Sequence, residues 1–210
     1  MFLGIDTSLG TAVALVDADG FVVAEASSDD PLGHAEVVGD LLAAVTAGQR
    51  ITHVVSGMGP GPFTGLRVGI AAARAFALGC GIPVVPVPSH DAVALQVLLA
   101  DAVESRDTPR FAVVTDARRR EFACSVYDGL DDDGLPVRVG GPLLWPRDET
   151  DARLAESGAR RVDAATVPAA LLATAAARAL GAGRALAGAE PLYLRSPDVT
   201  MPRGPKRVTA

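Results

Sequence analysis

Two acid-bearing turns hold the side chains best suited to chemistry: Asp6-Thr7-Ser8, and Asp116 within Thr115-Asp116-Ala117-Arg118. Each turn ends an apolar, strand-like run. A carboxylate there can orient a metal-bound phosphate while neighbouring hydroxyls touch the phosphate itself. The same residue types also form Asx and Ser/Thr turns by bonding their own backbone, so both uses stay open. Between the two turns runs Ser56-Gly57-Met58-Gly59-Pro60-Gly61-Pro62-Phe63-Thr64-Gly65-Leu66-Arg67-Val68-Gly69, which leaves one strand-like stretch and opens an Ala-rich helix. A strand, a glycine-rich turn and a helix in that order can aim backbone N–H groups at an anion. The run lacks the lysine of a Walker loop, and its prolines set it apart from the dinucleotide fingerprint. It carries no His, Cys or carboxylate either, so it reads as a binding loop without a catalyst, and no residue is assigned a catalytic role.

The remaining reactive residues are scattered. His34, His53 and His90 never fall four apart on a helix, and neither CxxC nor HExxH occurs, so no metal site is expected. His34 reads as a cap or surface residue at a helix start. Cys80 and Cys124 read as small hydrophobes, and two cysteines are too few for a disulfide scaffold. Arg118-Arg119-Arg120 reads as an anion patch or as the solvated start of a strand.

The elements that must position these residues follow from periodicity. Apolar runs at Phe2–Thr7, Thr11–Val16 and Phe21–Ala26 predict a strand meander, with Asp17-Ala18-Asp19-Gly20 as one of its turns. Helical spacing predicts a helix over His34–Ala47, followed by a strand (Ile51–Ser56), the glycine run with its helix to about Gly79, and a strand at Ile82–Val87. Ser89 is placed to N-cap a third helix reaching Val103. The pattern then restarts with strands at Phe111–Thr115, Glu121–Tyr127 and Val137–Leu144 and helices at Asp148–Ser157 and Pro168–Leu180. This is an α/β chain of two related units, the second cut short: a lobe over 1–107, a smaller lobe over 108–195 and an irregular basic tail over 196–210.

Composition narrows the classes. The chain has 210 residues, 49% of them hydrophobic, and a formal net charge of -6. It can bury a full core, and no uninterrupted apolar stretch reaches the roughly 20 residues of a spanning helix. The start Met1-Phe2-Leu3-Gly4-Ile5-Asp6 lacks a basic n-region, so it reads as a first strand and not as a signal peptide; a cytoplasmic protein is expected. An acidic body argues against strong stand-alone nucleic-acid binding, although Arg195, Arg203, Lys206 and Arg207 crowd the tail. Within the second helix Gly65, Gly69, Ala73 and Ala77 recur every four residues as a small-residue ridge. Such a ridge lets another helix approach closely, either inside the lobe or from another protein. Arg67 and Arg74 share a face and mark a solvated or interface edge.

Ile5-Asp6-Thr7-Ser8, the meander, His34 with its Val/Leu helix, Gly59 to Gly69, Pro86-Val87-Pro88-Ser89, Asp116-Ala117-Arg118 and Pro191-Leu192-Tyr193-Leu194-Arg195 together resemble the TsaB family. The match spans nearly the whole chain, with Pro62 where the family more often has Ser and a looser fit after Asp128. The resemblance implies an actin/Hsp70-like (ASKHA), ribonuclease-H-like two-lobe fold with a reduced second lobe. It also implies a non-catalytic paralogue of TsaD, the subunit that forms N6-threonylcarbamoyladenosine in tRNA. TsaD carries a metal-binding His-x-x-x-His, of which this chain offers only His34. The implied partners are a TsaD-type subunit and a TsaE-type ATPase, with tRNA touched indirectly, no membrane, no cofactor of its own and weak or no Mg-ATP binding.

The expected partner contact is His34, Val38, Leu41, Leu42 and Val45 on one helix, with Gly65, Leu66, Gly69 and Ala73 on the next. A homodimer through the same helices is the alternative use. The competing function is an ATP-dependent phosphotransferase or acyltransferase of the same fold. In it Asp6, Thr7 and Ser8 meet phosphate, and Asp116 shares the Mg-nucleotide with Asp6.

Overall fold

Alternation along the strands sets the layers. In β1 (Phe2–Asp6), Leu3 and Ile5 turn to one face of the sheet, while Phe2 packs into the cluster on the other. β1 pairs antiparallel with β2 (Thr11–Val16), and β2 with β3 (Val22–Ser28). On its other side β1 runs parallel to β4 (His53–Gly57), and β4 to β5 (Val84–Val87), giving the order β3-β2-β1-β4-β5. Helices α1 (His34–Thr46) and α2 (Phe63–Cys80) supply the parallel crossovers, and α3 (Ser89–Val103) leads from β5 to the second sheet. The structure, a computed structural model, describes residues 1–28, 30 and 33–195.

The second sheet repeats the first with one strand fewer. β6 (Phe111–Asp116), β7 (Glu121–Leu130) and β8 (Pro136–Pro146) form the meander; α4 (Arg147–Ser157) leads to β9 (Arg160–Asp163), which lies parallel to β6. The resulting order is β8-β7-β6-β9. β9 escaped the sequence reading because Arg160-Arg161-Val162-Asp163 has a single apolar residue and takes its pairing from β6.

The layers follow from which face each helix covers. α1 and α2 cover the outer face of the first sheet, over Leu3, Ile5, Val13, Leu15 and Val54. α4 covers the outer face of the second through Leu154, against Ala112, Val114 and Val126. α3 and α5 (Ala169–Gly181) lie between the sheets in one continuous core that includes Val16, Val87, Phe111 and Tyr127. α5 follows the second sheet in the chain yet packs on β1 and β2. A Cβ on Gly4 would sit 2.3 Å from the Ala169 carbonyl oxygen, so glycine is what allows this helix end to reach the strand.

By length and composition α2 alone among the described helices could cross a membrane. Here Gly65, Leu66, Gly69, Ile70, Ala73 and Ala77 are buried within the protein, while Arg67 and Arg74 lie on the exposed side. That is the pattern of a helix on a sheet.

Candidate functional site

The glycine run is shaped around the turn between β1 and β2. A Cβ on Gly57 would lie 1.8 Å from Asp6 Oδ2, and one on Gly61 would lie 2.8 Å from Ser8 Cα. On Gly65 it would fall 2.9 Å from the Thr7 carbonyl oxygen and 2.8 Å from His34 Nε2; on Gly69, 2.2 Å from Thr7 Oγ1. Glycine at every fourth position thus opens one groove, and Asp6-Thr7-Ser8 fills it. The Thr7 hydroxyl completes the fit: it donates to the Gly65 carbonyl at 2.7 Å and accepts from the Gly69 amide at 3.0 Å. It thereby bonds both the carbonyl and the amide of one i, i+4 pair of the helix.

Asp6 is equally enclosed. Its side chain accepts from the Ser8 amide (2.7 Å), from Ser8 Oγ (3.3 Å) and, in a short bond, from Ser89 Oγ. Burial pushes its carboxyl above the usual range, and the bonds from Ser89 and Ser8 pull the other way. The Ser89 hydroxyl also accepts from the Gly59 amide at 3.0 Å. Ser89 is therefore the first residue of α3 and not its cap: the cap position is Pro88, and the hydroxyl ties the glycine run to β1. Asp6, Thr7 and Ser8 have at most 2% of their surface exposed, so the three candidates for phosphate contact point into the lobe.

Asp116 is placed differently. It stands beside a cleft of about 500 Å³ between the lobes, whose walls include Leu9, His34, Phe63, Thr64, Arg118 and Tyr193. Its carboxylate accepts from Arg147 at 2.6 Å and from the Arg118 amide at 2.7 Å. Partial burial would raise this carboxyl, but those two partners outweigh burial and hold it below its usual value. The turn after it departs from a plain strand start: Arg118, Arg119 and Arg120 have φ of 61°, 53° and 63°, three consecutive left-handed side-chain-bearing residues. Arg118 and Arg119 line the cleft.

His34 is neither a cap nor a surface residue. It is 7% exposed, its Nδ1 lies 2.8 Å from Thr11 Oγ1, and α1 begins without a side-chain cap. His90 is buried at the start of α3, with Nδ1 2.9 Å from Ser125 Oγ and Nε2 3.0 Å from Thr115 Oγ1. Burial, helped by Arg138, lowers its pKa to about 3, so the ring stays neutral and joins α3 to the second sheet.

The chain after α5 returns over the first lobe as a strap. The Leu192 amide donates to the Met58 carbonyl at 2.8 Å, and Leu192 and Ala187 pack on Met58, Leu66 and Ile70. Arg67 lies 3.7 Å from the centre of the Phe63 ring and donates to Tyr193 Oη at 2.9 Å; Arg74 donates to the Ala189 carbonyl at 2.6 Å. Arg195 then reaches the second lobe, donating to the Ala117 carbonyl at 3.0 Å and pairing with Glu121. The two arginines read as an edge are thus anchors for this strap, a contact that their spacing alone could not reveal. Arg203, Lys206 and Arg207, with the rest of the tail, lie outside the described residues.

Of the expected partner-contact residues, Val38 and Val45 are buried at 8% and 3% exposure in α1. Gly65, Leu66, Gly69 and Ala73 are buried in α2, with the glycines against Thr7 and His34, so the ridge is occupied within the lobe. Leu41 and Leu42 are half-buried, as are Val68, Ala72 and Phe76 on α2.

Comparison with known proteins agrees with this architecture. The family model for TsaD, tRNA N6-adenosine threonylcarbamoyltransferase, matches residues 33–134. An uncharacterised protein of Mycobacterium leprae is 39% identical over 158 residues, covering 71% of this chain and 40% of that protein. One from Mycobacterium tuberculosis is 38% identical over 155 residues, covering 68% and 69%. The Escherichia coli tRNA threonylcarbamoyladenosine biosynthesis protein TsaB is 31% identical over 121 residues, covering 56% of this chain and 45% of its own length. Matched regions therefore span well under two thirds of the M. leprae and E. coli proteins. The structure of YeaZ from Pseudomonas aeruginosa superposes with a TM-score of 0.69 at 24% identity, covering 91% of this chain and 98% of YeaZ, so the fold is shared end to end. With an α/β actin/Hsp70-like fold, a glycine run moulded to its first turn and relatives of this kind, the chain belongs to the TsaB family.

Proposed function

We propose that this chain is the non-catalytic partner subunit in formation of N6-threonylcarbamoyladenosine in tRNA. It binds a TsaD-type catalytic subunit in the cytoplasm, allows a TsaE-type ATPase to join, and meets tRNA only through that assembly. The observation that carries this reading is the enclosure of Asp6. The acid at the end of β1 is saturated by Ser8 and Ser89 and walled by Gly57, so it serves the fold. The competing transferase needs Asp6 and Asp116 on one Mg-nucleotide. Asp6 is 1% exposed, whereas Asp116 stands beside the cleft in an ion pair with Arg147.

The partner surface is the outer side of α1 and α2. Leu41 and Leu42 contribute from the expected set and are joined by the half-exposed Val68, Ala72 and Phe76. Exposed small residues, Ala44 on α1 and Ala71 and Ala75 on α2, keep this side low, so two helices of a partner can approach closely. Without the partner, the same face supports a homodimer.

Reconstitution tests the function. Purified TsaD- and TsaE-type subunits of the same organism, with tRNA, ATP and a threonylcarbamoyl donor, are expected to modify tRNA only when this chain is added. Asp6→Asn and Asp116→Asn are expected to retain that support. Modification at full rate without the chain, or its own turnover of Mg-ATP lost in Asp6→Asn, overturns the reading.

A further inference from the structure

Each sheet has two edge strands, and three of the four are guarded. β5 carries Pro86, β8 carries Pro136, Pro142 and Pro146, and three of the four residues of β9 are charged. Proline and charge at an edge keep further strands from pairing there. β3 lacks this protection: its seven residues hold no proline and a single charge, Glu25. It pairs with β2 alone, so the alternate N–H and C=O groups on its outer side have no strand to meet. Three apolar side chains lie open where the strand begins: Phe21 is 72% exposed, Val22 52% and Val23 43%. An open apolar edge is a template for one more strand.

Charge decides what kind of strand fits. Every lysine and arginine of the chain lies from Arg50 onward, whereas residues 1–49 hold eight acids. Around β3 this places Asp19 in the turn before it, Glu25 on the strand, and Glu36 and Asp40 on α1, which packs against it. All four are exposed, and none makes an ion pair among the described residues. A second copy paired at this edge would set these acids against their own kind, and like-charge repulsion opposes that. We propose that β3 receives an extended, basic segment of a partner protein as a sixth strand of the first sheet. The backbone of that segment bonds the outer groups of β3, its apolar side chains meet Phe21, Val22 and Val23, and its cations meet Asp19 and Glu25. The edge uses none of the residues assigned to the partner face on α1 and α2, so either assignment can fail alone.

A capped synthetic peptide of alternating lysine and valine, titrated into the full chain at low ionic strength and followed by amide NMR, tests the edge. The expected result is saturable shifts along Val22–Ser28 that weaken as salt is added. Glu25→Lys, at an exposed position without a partner, is expected to weaken binding about tenfold. The same peptide N-methylated at alternate residues cannot bond the edge and is expected not to bind. A peptide with glutamate in place of lysine is expected not to bind either. The proposal is overturned if the β3 amides do not move at millimolar peptide, or if the N-methylated or the glutamate peptide binds as tightly. It is equally overturned if Glu25→Lys leaves the affinity unchanged. Line broadening at β3 that grows with protein concentration in the absence of peptide would also overturn it, because a second copy is then the occupant.

Discussion

Gly69 has no space for a methyl group, because the Thr7 hydroxyl sits where the Cβ would go. Gly69→Ala is expected to destabilise by about 1–3 kcal/mol in urea unfolding, the usual cost of overpacking. Gly39 is the contrast: it lies on exposed α1 with nothing near its missing Cβ, so Gly39→Ala should gain roughly 0.5–1 kcal/mol. Equal effects at the two positions contradict the groove. Asp6 gives a pH signature. Burial raises its folded pKa above the unfolded 3.8, so its contribution is fully present below pH 3.8 and is lost as pH rises through the folded value. Asp6→Asn removes that loss, and the melting temperature of the variant relative to wild type should climb as pH rises above 3.8. A flat difference contradicts a buried, raised carboxyl. The sequence shows why such roles stay ambiguous. Asp-Thr-Ser reads equally as a phosphate contact or a closed turn until the position of Ser89, 83 residues away, is known.

Among the elements, helices and meander strands were legible because apolar spacing is a local signal. α1 and α2 begin at His34 and Phe63 as their patterns indicated, and α3 begins at Ser89, one residue before the start its expected cap implied. What escaped depends on distant partners. β9 is a strand because β6 lies beside it, and the strap is ordered by Met58, Arg67, Arg74 and Glu121. The ridge on α2 was visible, but spacing could not say that Thr7 and His34 fill it. The strap can be tested alone. Tyr193→Ala removes the Arg67 hydrogen bond and the ring contact with Phe63, 4.8 Å between centroids. A loss of about 1–2 kcal/mol is expected, with faster hydrogen exchange at Met58 to Thr64. Exchange there at the wild-type rate would show that the strap does not hold the glycine run.

At the scale of the molecule, His90 links the layer between the sheets to the second sheet. Its pKa falls from 6.5 unfolded to about 3 folded, so the unfolded chain takes up this proton first as pH drops. Stability should therefore decline from pH 6.5 toward 3, and His90→Gln, which can still donate and accept, should flatten that part of the profile. An unchanged slope contradicts a buried neutral imidazole. The two-lobe plan was legible as a repeated pattern, whereas the packing of α5 on the first sheet was not, because nothing local distinguishes an Ala-rich helix that covers one sheet from one that covers the other. The central claim, a partner subunit acting through α1 and α2, is tested most directly by co-expression with the TsaD-type subunit of the same organism and size-exclusion chromatography with light scattering. Wild type is expected to elute as a complex of both chains. Leu41→Asp combined with Ala75→Arg, verified as folded by circular dichroism and melting, should elute separately from its partner. Co-elution of that folded double variant at wild-type stoichiometry would contradict the account.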